Sequence, residues 1–280
     1  MCIRDSSLFI TLTIAVLYLL STPPIYTRTA AILVKDNSKS SSSTSAMNDF
    51  SDLGIFKSNT NINNELLTLK SPTLMTEVVN RLGLNETFTI RKGLKNVDLY
   101  KVSPVTITFC DKIEVPLSFT IKFSSKEAFA ISELEISGED IGETLSAQMG
   151  DSIQTSAGIM IVSPTQEFTD AFIGTSIRYV RGSVRAAVDT YSNALVAELG
   201  NEDATIINLS INDTSIRKAE DILNTLIEVY NENWIRDKNQ IAVSTSQFIS
   251  DRLGVIESEL GHVDENISSY KSEHLLPDVQ

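Results

Sequence analysis

Residues 249–270 read ISDRLGVIESELGHVDENISSY. The apolar members Ile249, Leu253, Ile256, Leu260, Val263, Ile267 and Tyr270 follow one another at intervals of 4, 3, 4, 3, 4 and 3. A mean repeat of 3.5 is what one face of a supercoiled helix requires, and these seven residues are read as a helix-packing seam. The helical pattern runs from about Thr214 to His274, which at roughly 1.5 Å per residue predicts a rod on the order of 90 Å long. Such a rod needs a second helix to lie against, later in the chain or in a neighbouring copy. His262 flanks the seam beside Val263 and has no metal-ligand spacing to His274.

The first half of the rod reads differently. Ile216, Ala219, Leu223, Leu226, Tyr230 and Trp234 are spaced to pack on a sheet, with Asp213 offering the N-cap. The more polar Lys238–Ser246 marks where the helix is expected to leave the body, and Pro277 bends or ends it.

Composition narrows the function. The 280 residues carry a net charge of −13, the wrong sign for displacing counterions from nucleic-acid phosphates or for coating an anionic membrane surface. The apolar fraction of 42% is enough for a real core. Part of the acidity is local: between Thr214 and Gln280, 12 acidic and 6 basic residues give −6, which suits a solvated rod surface. Cys2 and Cys110 stand in unlike settings, so no disulfide between them is expected, and Cys110 reads as a small half-buried strand residue.

At the N-terminus, Leu8–Leu20 is thirteen residues without a charge, short of the roughly twenty that span a bilayer. A core helix, a signal-peptide core and the remaining part of a transmembrane helix compete. The third fits best, because Met1–Ser6 is short and irregular for a native start and Tyr18 and Tyr26 bracket the outer end. Pro23-Pro24 closes it, a strand follows over Tyr26–Lys35, and Ser38–Ser45 reads as a mobile hydroxyl-rich loop. Two short helices are expected over Asn61–Leu69 and Pro72–Leu82, the second with Ser71 as N-cap, a stripe of Leu74, Val78 and Leu82, and Gly83 at its end.

From Val97 the texture turns to strands. Val105, Ile107 and Phe109 alternate with polar residues, as do Leu117, Phe119, Ile121 and Phe123. Further strand-like pieces follow at Phe129–Ile136 and Ile159–Val162. A strand over Thr175–Val180, a helix near Ser183–Thr190 and strands at Ser192–Leu199 and Ala204–Asn212 complete the body. The fold class expected is α+β. A mixed-sheet base with short helices carries an inserted β-rich module and a long C-terminal coiled-coil helix, after a partial N-terminal transmembrane helix.

No catalytic pattern emerges. None of the twelve glycines is followed by lysine and a hydroxyl residue, so there is no phosphate loop, and Gly150-Asp151-Ser152 and Gly174-Thr175-Ser176 lack the closing glycine of a nucleophile elbow. Arg178, Arg181 and Arg185 form a candidate polyanion contact. Charges on the exposed side of a strand–helix junction are the plainer account. No cofactor and no metal are expected, and no enzyme is read in this segment.

Three separated blocks carry a family resemblance: PPIYTRTAAILV (23–34), NNELLTLKSPTLMTEVVNRLGL (63–84) and KAEDILNTLIEVYN (218–231). In that order the chain resembles Wzz-type polysaccharide chain-length determinants. KNQIA (238–242) and LPDV (276–279) resemble the branch linked to bacterial tyrosine kinases. The resemblance implies a homo-oligomeric co-polymerase of the bacterial inner membrane with most of this segment periplasmic. It would govern the length and export of capsular or exopolysaccharide alongside the polymerase and export machinery. The implied organisation is a partial membrane helix (1–24), an α/β base in two parts (25–96 and 173–213), a β-rich module (97–172) and the long helix (214–280). The second span and cytoplasmic kinase domain of the family pattern are not in the sequence, so a chain truncated at both ends is expected. The rivals are the periplasmic half of a membrane tyrosine autokinase and, in a different class, a membrane-fusion export adaptor. An adaptor would place lipoyl-like strands on both sides of a helical hairpin.

Overall fold

The computed structural model describes residues 2–34, 62–110, 115–200 and 206–273. The readings made for Ser38–Ser45 and for Pro277 lie outside them. The chain divides into two units, Met1–Val229 and Tyr230–Gln280.

Helix α1 covers Cys2–Ser21. The transmembrane helix expected over 1–24 is not found as a span: among the described residues no helix is long and apolar enough to cross a membrane. The physical reason is length. Thirteen uncharged residues rise only about 20 Å, against a hydrocarbon core of roughly 30 Å.

Strand β1, Tyr26–Leu33, pairs antiparallel with β13, Ile206–Asp213, through eight consecutive rungs from Tyr26↔Asp213 to Leu33↔Ile206. β12, Leu195–Leu199, completes this three-stranded sheet on the other side of β13. The expected mixed base sheet is thus antiparallel. β12 and β13 are sequential neighbours joined by a short connection, which permits a hairpin, whereas parallel neighbours need a long crossover. Ile32, Leu195, Ala197, Ile207, Leu209 and Ile211 are buried on one face of the sheet.

The two short helices form at Ile62–Leu69 (α2) and Pro72–Leu82 (α3). Ser71 accepts a hydrogen bond from the Thr73 amide, Pro72 takes the first turn, and Gly83 closes α3 at φ 62°, sending its N–H to the Val79 carbonyl. α4, Val184–Ala194, is capped by Ser183, whose hydroxyl accepts from the Ala186 amide.

A seven-stranded antiparallel sheet contains β2 (Glu86–Lys92), β3 (Lys95–Asp98), β5 (Leu117–Phe123), β6 (Ala128–Ile136), β7 (Glu139–Asp140), β8 (Leu145–Gln148) and β11 (Ser176–Arg181). β11 lies between β2 and β5, so this sheet draws strands from both sides of 97–172 in the sequence. β4 (Val105–Phe109), β10 (Gly158–Pro164) and β9 (Ser152–Thr155) form a second small sheet. The two sheets share one core, with Phe119, Phe123, Phe129, Met160 and Tyr179 essentially inaccessible to solvent. Tyr179 is central to it. Its ring centroid lies 4.9 Å from Phe88, 5.0 Å from Phe119 and 6.3 Å from Phe109.

Helix α5 covers Ile216–Glu273. Ser215 caps it rather than Asp213: the Lys218 amide donates to the Ser215 hydroxyl at 3.4 Å, while Asp213 holds the preceding turn by accepting from the Ser215 amide at 2.7 Å. Ala219, Leu223 and Leu226 are buried as expected, joined by Ile222 and Val229. Trp234, expected on the packed face, is 45% exposed, with the Lys238 ammonium 5.5 Å from its ring centroid. Cys110 follows β4 and is exposed, not half-buried, because the strand ends one residue before it.

Candidate functional site

Two features of the described residues stand out, one in each unit. The first is a polar cluster around the start of α5. Lys218, only 8% exposed, sends its ammonium to the Asp98 carboxylate at the end of β3 and lies 3.5 Å from Asp213 at the end of β13. The Tyr191 hydroxyl of α4 faces the same ammonium. Burial alone would lower the lysine's proton affinity, but Tyr191, Asp98 and Asp213 together outweigh it and hold the group above the ordinary lysine value.

One turn further along α5, Asp221 pairs with Lys101 at 2.7 Å and stands beside the Tyr100 hydroxyl. Burial, then Asp221, pushes the Tyr100 hydroxyl well above its usual range. Lys101 takes a left-handed backbone, φ 57°, which a non-glycine residue adopts at some cost. Two opposed pairs, Lys218 to Asp98 and Asp221 to Lys101, therefore clamp the first turns of α5 to the chain leaving β3. No local sequence signal announces this clamp. Its members are separated by about 120 residues.

The second feature is the face of α5 within Tyr230–Gln280. Ile249, Leu253, Ile256, Leu260, Val263, Ile267 and Tyr270 are all exposed, between 40% and 60%. Beside them runs a row missed in the sequence reading: Ile241, Phe248 and Val255, spaced by seven and also exposed. Phe248 and Val255 each precede a seam residue by one position and so point about 100° away from it around the helix. Their common spacing of seven was the signal available. Two apolar rows on different sides suit a helix that meets more than one neighbour.

The three arginines are not brought together. β11 alternates, so Arg178 and Arg181 leave opposite faces of its sheet. Arg178 pairs with Glu135 at 3.1 Å and with the Ser118 hydroxyl at 3.2 Å. Arg181 lies 3.6 Å from Glu86 and stacks over the Phe109 ring at 4.9 Å. Arg185 sits exposed in the first turn of α4. Two of the three are thus engaged with carboxylates of their own sheet. Among the described residues no group of His, Cys, Asp or Glu is placed to hold a metal ion.

Comparison with known proteins adds one match. Residues 6–82 fit the family model described as Wzz, chain length determinant protein. The matched region contains most of α1 and all of β1, α2 and α3. That match supports a role in determining polysaccharide chain length. No curated protein shows a significant match to the chain.

Proposed function

We propose that this chain is a polysaccharide co-polymerase region of the bacterial inner membrane, which sets the length of an exported capsular or exopolysaccharide by assembling with copies of itself. The family match over 6–82 carries the chain-length reading. The uncovered seam Ile249–Tyr270 and the row Ile241, Phe248 and Val255 support assembly as the mode of action. Exposed apolar rows of this regularity cost free energy in water until another helix covers them. The segment acts through association with the polymerase and export machinery, not through chemistry of its own.

Deleting the gene and resolving the polysaccharide by length on gels tests the reading. Loss of the preferred length, restored by the wild-type gene and not by Leu253→Asp/Leu260→Asp, is expected. An unchanged length distribution in the deletion strain would sink it. The tyrosine-kinase-linked branch belongs to the same proposal, supported by the resemblance at 238–242 and 276–279. Sequencing outward from both ends of this segment tests that part. An apolar span followed by a phosphate loop supports it, and lipoyl-like strands would favour an export adaptor instead.

A further inference from the structure

Next to the clamp, and wholly within the first unit, lies a cavity of about 520 Å3, inside the range of roughly 300–1,000 Å3 usual for small-molecule sites. Its walls combine the end of α3, strands β2 and β4, the segment after β3 and the first turn of α5. The charges set into these walls are already matched: Lys218 with Asp98, Lys101 with Asp221, and Glu86 with Arg181. The cavity therefore offers no net charge to an ion. One side is apolar, with Phe88, Leu99 and Ile107. Arg217 and Glu167 also line it, both exposed, of opposite sign, and without an ion pair among the described residues.

A neutral ligand with one apolar face and a rim of hydroxyls matches such a wall. A pyranose ring has that form: its C–H face covers an aromatic surface, and its hydroxyls both donate and accept. A guanidinium donates only and a carboxylate accepts only, so an arginine and a glutamate in the wall can serve sugar hydroxyls without requiring charge in the ligand. We infer that this cavity binds a neutral sugar unit of a glycan chain. The inference rests on the chain-length reading above and gives it a contact point beside the base of α5.

The test uses the full chain in a detergent without a sugar headgroup, titrated with cellobiose, maltose and chitobiose, with glucuronate and inorganic phosphate as anionic probes. Ligand-observed NMR should detect at least one neutral disaccharide. Filling the cavity from an exposed wall position, Thr106→Trp, should weaken that binding at least ~10-fold, while Thr106→Ser retains it. Matching circular dichroism melts of both variants would show that the fold is kept. If Thr106→Trp does not fold, Glu167→Ala and Arg217→Ala, at exposed wall positions, replace it with the same expected weakening. Binding by glucuronate or phosphate alone, no binding by any disaccharide, or binding unaffected by these substitutions overturns the inference. In cells the two ideas separate. A deletion that alters polysaccharide length alongside a Thr106→Trp strain of normal length would overturn the sugar site and leave the chain-length role standing.

Discussion

The ammonium of Lys218, in the first turn of α5, is hydrogen-bonded to the carboxylate of Asp98, which lies 120 residues earlier in the chain. Asp98 and Asp213 both have side chains only 10–12% exposed, so neither finds water easily if the ammonium is removed. Lys218→Met should cost about 3–5 kcal/mol, since an uncompensated buried charge is worse than no pair at all. Adding Asp98→Asn should recover part of the loss. Urea denaturation of the single and double variants checks both expectations.

Alkali should unfold the protein through the same cluster. Lys218 binds its proton more tightly folded than unfolded, so its contribution is complete below 10.5 and disappears as pH rises through the folded value. Tyr100, Tyr179 and Tyr191 act in the same direction. Burial keeps each hydroxyl protonated beyond its ordinary value of 10.0, so stability again falls once the unfolded chain can ionise. Melting temperature should be insensitive to these groups near neutrality and decline above pH 10. The gap between wild type and Lys218→Met should narrow over the same range. Melting followed together with phenolate absorbance reads both.

Glu86 acts in the same direction, but in the acidic range. Burial raises its carboxyl, and Arg181 and the Tyr179 hydroxyl pull it only partly back. Its folded form thus holds a proton more tightly than the unfolded chain, which costs stability as pH rises from 4.5 through the folded value. Arg181→Leu removes the main counter-charge. It should cost about 1–2 kcal/mol at pH 7 and less at acidic pH, where Glu86 is neutral. Thermal melts at the two pH values settle the sign.

The seam should be separable from the body. Leu253 and Leu260 are more than half exposed, so Leu253→Asp/Leu260→Asp should change the unfolding free energy of the body by no more than about 0.5 kcal/mol. The mass of the proposed assembly in detergent, measured by light scattering, should fall. Phe248→Ser/Val255→Ser tests the second row. A smaller assembly with the seam intact would show that both faces make contacts, whereas unchanged mass would restrict assembly to the seam.

Gly254 and Gly261 sit within α5 with open space where a Cβ would go. Replacing both with alanine should stabilise the helix by about 1 kcal/mol each in the single chain. A gain in helix stability with a loss of assembly mass would mean that a neighbouring backbone approaches closely there.

Legibility in the sequence followed the range of the interactions. Ser71 and Pro72 act within the first turn of α3 and Gly83 on its last, so its bounds are readable from local signals. The 3.5-residue repeat was likewise local. The β2–β3 hairpin is faint in the sequence although Phe88 and Ile90 alternate and Gly93, at φ 65°, makes its turn. Two such short strands offer little pattern before their partners are known. β11 reads as a strand, but its place between β2 and β5 depends on pairings that no window of sequence contains. The clamp is the extreme case. A lysine at the start of a long helix looks like one more solvated charge until Asp98, Asp213 and Tyr191 are brought to it.

The ladder between β1 and β13 has a mechanical consequence. Tyr26, where the chain arrives from α1, pairs with Asp213, just before α5 begins. Both segments therefore enter and leave the sheet at the same end of an antiparallel ladder. Tension drawing α1 away from α5 would peel the rungs open one by one, starting with the rung that holds the turn before α5. A pull along the strands would instead load all eight rungs together. The sheet is thereby compliant to separation of those two helices and stiff to sliding between its strands.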